Sequence, residues 1–204
     1  MRRDHVKTWL AIDGEIFLRK VGITGSMKIL DLGAGSGHYT IPAAKIVGEA
    51  GHVYAMDKSA GSLEDIAGSA RSMGLENITT IRFQEGNGID IEDNTMDVVL
   101  TYDMLHYMEE DERKKLYAEI KRILRPAGIL SVYPKHIRHD EPLWHLSNLD
   151  LDDIIEEIEA SGLVLDTRYY LTLIHDNYYN NGHILNFRKL VDFYIMHKGK
   201  GRHS

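Results

Sequence analysis

Apolar residues in this chain fall into short continuous runs that alternate with stretches where they recur every three or four positions. Short runs bounded by turn-forming residues predict buried strands, and the wider spacing predicts helices. The predicted strands are 29–32, 52–57, 78–83, 96–101, 129–134, 163–174 and 182–189, and the predicted helices are 4–21, one from 39 onward, 59–74, 109–125 and 149–161. Such alternation is typical of an α/β fold with a parallel sheet.

The most informative stretch is the first predicted strand with the turn that follows it. Asp31 lies near the end of the strand, and three glycines then alternate at Gly33, Gly35 and Gly37. Glycine tolerates positive φ and allows a backbone to approach a ligand closely. A strand, a glycine turn and a helix form the first half of a βαβ unit, which binds its ligand at the carboxyl end of the strand.

The spacing of these glycines indicates which ligand the turn binds. A dinucleotide fingerprint requires Gly-x-Gly-x-x-Gly, but here His38 stands where the third glycine is needed. Asp-x-Gly-x-Gly-x-Gly instead resembles the first motif of class I S-adenosylmethionine-dependent methyltransferases. The resemblance implies that the methionine end of the cofactor is held by Asp31, Gly33, Ala34, Gly35 and Gly37. The alternative interpretation of this stretch is a tight turn that binds nothing.

A second acidic residue, Asp57, ends the next predicted strand. One returning helix and a parallel strand bring a carboxylate to this position beside the glycine turn, where it accepts hydrogen bonds from both ribose hydroxyls. Lys58 follows it in the predicted cofactor-binding set. The alternative is that Asp57 caps the helix that begins near Ser59. Nicotinamide cofactor sites share this acidic residue, so Asp57 does not separate the two cofactors.

The resemblance also assigns residues that contact the adenine and the amino group of the cofactor. The family commonly has Gly-Asp-Ala after the third strand, whereas this chain has Gly86, Asn87 and Gly88. The Asn87 amide oxygen accepts the bond that the acid would accept from the adenine amino group. An Asn-Gly turn without a ligand is the alternative. The backbone near Thr101 is expected beside the amino group of the cofactor.

The resemblance covers the chain from about residue 9 to residue 189 and is to the small-molecule, ubiquinone/menaquinone-biosynthesis branch. It implies a Rossmann-like, doubly wound, seven-stranded sheet, mostly parallel with an antiparallel last strand and helices on both faces. It also implies in-line methyl transfer from S-adenosylmethionine to a small-molecule acceptor. One domain is predicted over 1–204, with a disordered tail at 198–204.

The N-terminal segment 1–24 is predicted to cover the sheet. Trp9, Ile12, Ile16 (or Phe17) and Lys20 recur at helical spacing there. In the resembled family this helix often helps to close the site, which makes Trp9 and Phe17 candidates for substrate contact.

Candidate catalytic residues follow from position alone. His106, Asp103, Tyr133 and His136 come after the fourth and fifth predicted strands, where this fold collects functional groups. A packing or surface role is an equal alternative for each of them. The loop 134–148 also carries His139, His145, Asp140 and Glu141, but no established ligand spacing is met, so no metal site is predicted.

Composition narrows the partners. Lys and Arg number 24 against 31 Asp and Glu, a net charge of −7, which counts against binding to a phosphate backbone. The chain has no cysteine and no apolar run of membrane-spanning length, so a cytoplasmic location and no membrane contact are expected. Two rival functions remain: a nicotinamide-dependent oxidoreductase, and a protein of the same fold that binds a cofactor without turnover. The oligomeric state is open.

Overall fold

A seven-stranded sheet lies at the centre of the computed structural model, which describes residues 4–84, 88–138, 140 and 142–190. The strands are β1 (Lys28–Leu32), β2 (His52–Asp57), β3 (Ile78–Arg82), β4 (Met96–Tyr102), β5 (Leu124–Tyr133), β6 (Leu163–His175) and β7 (Tyr178–Lys189). Their order is β3-β2-β1-β4-β5-β7-β6, and of these seven strands β7 alone runs in the opposite direction to the others. The predicted Rossmann-like fold is therefore confirmed.

The sheet order reverses at β1, which pairs with β2 on one side and with β4 on the other. The carboxyl ends of parallel strands leave a crevice at such a switch point, and ligands of doubly wound folds bind there. All seven residues of β4 are buried, as expected for a central strand covered on both faces. The glycine turn lies directly after β1, at this crevice.

Helices cover both faces of the sheet. They are α1 (His5–Thr8), α2 (Gly14–Lys20), α3 (Thr40–Val47), α4 (Ala60–Met73), α5 (Glu110–Ile123) and α6 (Leu151–Glu159), with a 3₁₀ turn at Leu105–Tyr107. One core joins α5 and α6 to the sheet, and a second joins α2 and α3 to its other face. The described helices include none that is long and apolar enough to cross a membrane.

The predicted N-terminal helix is present but is interrupted by a π-helical turn at Trp9–Asp13. The extra residue of that turn rotates the following face, so Trp9 and Phe17 are buried while Ile12 and Ile16 are 59% and 63% exposed. The expected apolar stripe is therefore confirmed at Trp9 and at the alternative Phe17, and is wrong at Ile12 and Ile16. Trp9 Nε1 donates a hydrogen bond of 2.7 Å to the carbonyl of His38, which attaches this covering segment to the glycine turn.

Two predicted boundaries are also wrong. The loop expected at 175–181 is a two-residue turn, because Asp176 and Asn177 both adopt left-handed φ values of 47° and 68° and close a tight hairpin. As a result β6 extends to His175 and β7 begins at Tyr178. The fifth strand starts at Leu124 and not at 129, with an irregularity in its pairing with β4 before Ile129. Residues 191–204, including the predicted tail, lie outside the described residues.

Candidate functional site

The glycine turn is fixed to the end of β2 by its backbone. The N–H groups of Gly33 and Ala34 both donate to the carbonyl of Met56, at 2.9 and 3.0 Å. A Cβ at Gly33 would lie 2.9 Å from the Met104 side chain, so packing requires glycine there. Gly35 differs, because a Cβ there would have no atom nearer than 3.9 Å and would enter open space. The turn thus presents bare backbone to the crevice at this position.

Asp57 and the glycine turn are in direct contact. The Gly35 N–H donates to Asp57 Oδ2 at 2.8 Å, and the Ser59 N–H donates to Asp57 Oδ1 at the same distance. The cap of α4 is Ser59 itself, whose hydroxyl oxygen accepts from the Ser62 N–H at 3.2 Å. The structure therefore brings together the carboxylate and the turn, and the capping role proposed for Asp57 belongs to Ser59.

Asp31 provides a second carboxylate beside the same turn. Its side chain is buried, and the Thr40 hydroxyl donates to its Oδ2 at 2.5 Å. Burial raises the pKa of Asp31 to about 6, the hydrogen bond from Thr40 opposes this, and the charge of Asp57 adds to it. Two carboxylates thus flank the turn, and both favour a ligand that carries positive charge near the end of β1.

A shallow depression of about 430 Å³ lies next to Asp57, between the ends of β2 and β3. Its lining residues are Lys58, Arg82, Phe83 and Gln84. Of the residues predicted to contact adenine, Gly86 and Asn87 lie outside the described residues, and Gly88 faces the Glu119 carboxylate. Thr101 is fully buried on β4, the strand that pairs directly with β1.

Four polar side chains meet beyond the ends of β4, β5 and β6: Asp103, His106, His136 and His175, here called the Asp–His cluster. His175 Nε2 lies 3.0 Å from Asp103 Oδ2. Asp103 Oδ1 lies 3.7 Å from His106 Nδ1 and 3.9 Å from His136 Nε2. The structure therefore brings together three of the four catalytic candidates. It adds His175, which sequence reasoning assigned to a loop; the Asp-Asn pair after it was the available signal for a hairpin.

Two members of the Asp–His cluster, His106 and His136, are buried, Asp103 and His175 are partly buried, and the cluster is incompletely hydrogen-bonded. Burial lowers the pKa of His106 to about 4 and also lowers the pKa of His136. The hydrogen bond with Asp103 raises the pKa of His175. Asp103 Oδ1, both ring nitrogens of His106 and His136 Nδ1 are buried without a hydrogen-bond partner among the described residues. Buried polar groups are nearly always paired, so a ligand is expected to complete these bonds.

The side chains of the remaining candidates surround this cluster and are not part of it. Tyr133 is buried, and its ring centroid is 6.3 Å from that of His175. His145 is exposed and lies 3.2 Å from a carboxylate oxygen of Glu109. Asp140 accepts a hydrogen bond from the His136 N–H at 3.1 Å, while residues 139 and 141 lie outside the described part of the chain.

A separate cavity of about 310 Å³ lies between the N-terminal helices and the β6–β7 hairpin. Trp9 and Phe17 line it with Asp13 and Tyr179, whose hydroxyl donates to Asp13 Oδ2 at 2.5 Å. Trp9 and Phe17 are 1% and 4% exposed, so their main role is to pack the covering helices onto the sheet.

Comparison with known proteins finds a family and several relatives that match part of this chain. Residues 29–128 match the family described as "Methyltransferase domain". The chain is 27% identical over 148 residues to a ubiquinone/menaquinone biosynthesis C-methyltransferase of Haemophilus ducreyi, which covers 71% of this chain and 54% of that protein. It is 30% identical over 132 residues to a carboxy-S-adenosyl-L-methionine synthase of Shewanella loihica, with 64% and 54% covered. The chain thus spans about half the length of these two relatives.

A solved structure shares the fold. The S-adenosylmethionine-dependent methyltransferase of Aquifex aeolicus aligns with a TM-score of 0.72 and 24% identity, over 87% of this chain and 90% of that chain. At this identity the likeness concerns the fold. The matched region 29–128 contains the glycine turn, Asp57 and the first two members of the Asp–His cluster, whereas His136 and His175 lie beyond it.

Proposed function

We propose that this chain, whose residues 29–128 match the methyltransferase domain, is a class I S-adenosylmethionine-dependent methyltransferase that transfers a methyl group from S-adenosylmethionine to a small-molecule acceptor. The observation that carries the proposal is the contact between Asp57 and the backbone of Gly35, 2.8 Å from Oδ2 to N. It joins the carboxylate expected at the ribose to the bare turn expected at the methionine end.

The geometry of the turn fits this cofactor. Space remains over Gly35, where a Cβ would have no neighbour nearer than 3.9 Å, so a ligand can approach the backbone closely. Asp57 keeps further lone pairs for ribose hydroxyls, since each of its oxygens accepts one bond within the chain. Asp31 and Asp57 are both acidic, which suits a ligand bearing a sulfonium and an ammonium group.

The same contact between Asp57 and Gly35 argues against the rival hypothesis of a nicotinamide cofactor. Dinucleotide sites hold a pyrophosphate on the backbone N–H groups of the glycine turn and the following helix. Here the Gly35 N–H is already bonded to a carboxylate, and Asp31 adds a second acidic group behind the turn. A pyrophosphate would meet two carboxylates where it requires free donors.

The proposed division of work follows from these positions. When bound, S-adenosylmethionine supplies an electrophilic methyl group. Asp31, Asp57 and the turn hold and orient the cofactor, and Lys58, Asn87, Gly88 and the Thr101 backbone contact its nucleoside and amino groups. The Asp–His cluster faces the acceptor, and its buried groups restrict the entry of water. Positioning of the two reactants in a dry site is the principal contribution of a protein to such a displacement.

Calorimetry with three ligands tests the cofactor. We expect S-adenosylmethionine and its demethylated product to bind, and NAD not to bind. Asp57→Ala should weaken cofactor binding at least about tenfold, or ~1.4 kcal/mol, because it removes the charged acceptor of the ribose hydroxyls. Asp65→Ala, on the exposed face of α4, is the matched control and should leave binding unchanged. Binding of NAD alone, or equal losses of affinity in both variants, would contradict the proposal.

A second measurement separates an enzyme from a protein that only binds the cofactor. The chain is incubated with S-adenosylmethionine and a panel of phenols, quinols, amines and carboxylates, and methylated products are detected by mass spectrometry. Product from one acceptor class supports turnover. Tight cofactor binding without product from any class would favour the non-catalytic alternative.

A further inference from the structure

Three members of the Asp–His cluster have the donor set of a metal site. Asp103, His136 and His175 each offer one ligand atom, and these atoms lie within 4.8 Å of one another. They come from three different elements: the end of β4, the segment after β5 and the end of β6. Such convergence of separate elements on one point is not a consequence of local chain geometry.

The distances are close to those of a coordination shell. Metal–nitrogen bonds of about 2.0–2.1 Å in a tetrahedral site place neighbouring donor atoms about 3.3 Å apart. Asp103 lies 3.0 Å from His175 Nε2 and 3.9 Å from His136 Nε2, through its two different oxygens. These separations lie on either side of that value, and all three donors lie within 4.8 Å of one another, so side-chain rotations would bring them around one ion.

The backbone holds two of these residues in conformations that side chains rarely adopt. Asp103 and His136 have φ values of 56° and 61°. Each is fixed by a hydrogen bond of its own N–H, from Asp103 to the Tyr133 carbonyl at 3.2 Å and from His136 to Asp140 Oδ2 at 3.1 Å. Left-handed backbone at non-glycine residues costs stability and is concentrated at functional sites.

Unpaired buried atoms provide an independent indication of a ligand. Asp103 Oδ1 is buried without a hydrogen-bond partner among the described residues, and so is His136 Nδ1. His136 is 6% exposed, so its ring has little access to solvent. On His175 the other ring nitrogen lies 3.6 Å from Asp176 Oδ2, beyond hydrogen-bond distance, so a carboxylate stands near this imidazole, as it does near many metal-bound histidines.

We propose that Asp103, His136 and His175 bind one divalent transition cation, such as Zn²⁺, on the acceptor side of the crevice. Two imidazoles and one carboxylate suit borderline cations such as Zn²⁺ better than Mg²⁺, which prefers oxygen ligands. Three protein ligands leave coordination positions open, as in catalytic metal sites, and an oxygen-bearing acceptor fits such a position. The proposed site is not the group of histidines and acidic residues in loop 134–148, because His136 is the one residue that belongs to both sets.

The proposal rests on the proposed function only for the role of the ion toward the acceptor. Metal binding itself is measured without cofactor. The full untagged chain is stripped with a chelator and titrated with ZnCl₂ and, separately, with MgCl₂ by calorimetry. We expect one Zn²⁺ per chain at micromolar affinity or tighter, and no saturable binding of Mg²⁺ in the same range. The chain should also gain thermal stability with Zn²⁺, because only the folded state holds the three donors together.

Three variants identify the ligands. Asp103→Asn, His136→Ala and His175→Ala should each weaken Zn²⁺ binding at least tenfold. Asparagine tolerates the left-handed backbone of position 103, so Asp103→Asn should fold normally and remains informative if a histidine variant unfolds. His145→Ala is the matched control, because His145 is an exposed histidine of the same loop that lies beside a carboxylate. It should bind Zn²⁺ with unchanged affinity.

The opposite results would overturn the proposal. Absence of Zn²⁺ binding to the stripped chain would leave the cluster as a network of hydrogen bonds without an ion. Equal affinity in all four variants would assign any binding to other surface histidines. Failure of the proposed function is recognised separately: if Zn²⁺ binds with the expected variant pattern but S-adenosylmethionine does not, the metal site stands and the methyl-transfer proposal falls.

Discussion

The two sides of the crevice treat their buried polar groups in opposite ways. On the glycine-turn side, Asp31 accepts a bond from Thr40, and Asp57 accepts bonds from the backbone of Gly35 and Ser59. In the Asp–His cluster, both ring nitrogens of His106 and one oxygen of Asp103 are buried without a hydrogen-bond partner among the described residues. On one side the buried polar groups are satisfied within the chain, and on the other side several have no partner among the described residues.

This difference teaches what each side requires from its ligand. The satisfied turn keeps its shape without a ligand, so affinity there depends on the space left open and on charge. In the unsatisfied cluster, folding has already removed donors and acceptors from water without giving them partners. A ligand that forms hydrogen bonds with these groups therefore gains affinity without a further desolvation cost on the protein side. Variants that alter the open space, the charge or the hydrogen bonding of buried groups should therefore change ligand affinity and folding stability differently on the two sides.

The largest effect is expected where space is removed from the glycine-turn side. Gly35→Ala places a Cβ in the opening above the turn, where the nearest atom is now 3.9 Å away. We expect a loss of S-adenosylmethionine affinity of about 1,000-fold, or ~4 kcal/mol, measured by calorimetry. Unfolding free energy should fall by only about 1 kcal/mol, since alanine at φ +48° is strained.

Gly68→Ala is the control for this prediction. Gly68 lies inside α4, and a Cβ there would meet no atom within 4 Å. Alanine in a helix interior should stabilise the fold by about 1 kcal/mol and leave the cofactor affinity unchanged. If Gly35→Ala retained wild-type affinity, the cofactor would not lie over the turn. Affinity on the glycine-turn side would then not depend on open space, contrary to the comparison of the two sides.

The second effect comes from charge on the same side. Burial raises the pKa of Asp31 to about 6 from its ordinary value of 3.8, so the folded chain binds this proton more tightly than the unfolded chain does. The free energy of unfolding should therefore decrease as pH rises from about 4 to about 6, by about 3 kcal/mol from this group. Denaturant titrations across this range measure the decrease.

Asp31→Asn isolates the contribution, because asparagine has the same shape and no titration. The pH dependence of its stability should be flatter by the stated amount. Cofactor affinity of the wild type should rise as the pH passes through about 6, the folded pKa of Asp31, since the ionised carboxylate attracts the cationic methionine end. Parallel curves for the variant and the wild type would show that Asp31 titrates alike in both states.

The sequence predicted the glycine-turn side because that side is local. Asp31, Gly35 and Asp57 belong to one βαβ unit, whose geometry is fixed by the strand-turn-helix pattern and the parallel return of β2. The seven strands followed from the apolar pattern, whereas the antiparallel last strand followed from the resemblance to the methyltransferase family. What failed was the face of the N-terminal helix, because a π-helical turn such as the one at Trp9–Asp13 leaves no periodic signal.

The Asp–His cluster could be predicted only in part because it is assembled over long distances in the chain. Asp103, His106 and His136 are predictable from their positions after strands, but no sequence pattern determines the distances between their side chains. His175 was missed, since a polar run around Asp176 was interpreted as a loop and is in fact a two-residue turn between long strands. A side chain at the end of a hairpin strand reaches the cluster only once that register is known.

The smallest effect, and the sharpest test of the contrast, is expected at His106. Its ring is 1% exposed, both nitrogens lack partners among the described residues, and burial keeps it neutral by lowering its pKa to about 4. His106→Phe removes these unpaired groups and keeps an aromatic ring against Tyr107, whose centroid is 3.9 Å away. In metal-stripped protein the free energy of unfolding should rise by about 1–2 kcal/mol.

The counterpart on the other side is Thr40→Val, which takes the hydroxyl donor away from Asp31 and should lower stability by a similar amount. Denaturant titrations of both variants at one pH measure these changes. A stability loss at both positions would mean that His106 is hydrogen-bonded to ordered water. The buried polar groups would then be satisfied on both sides of the crevice.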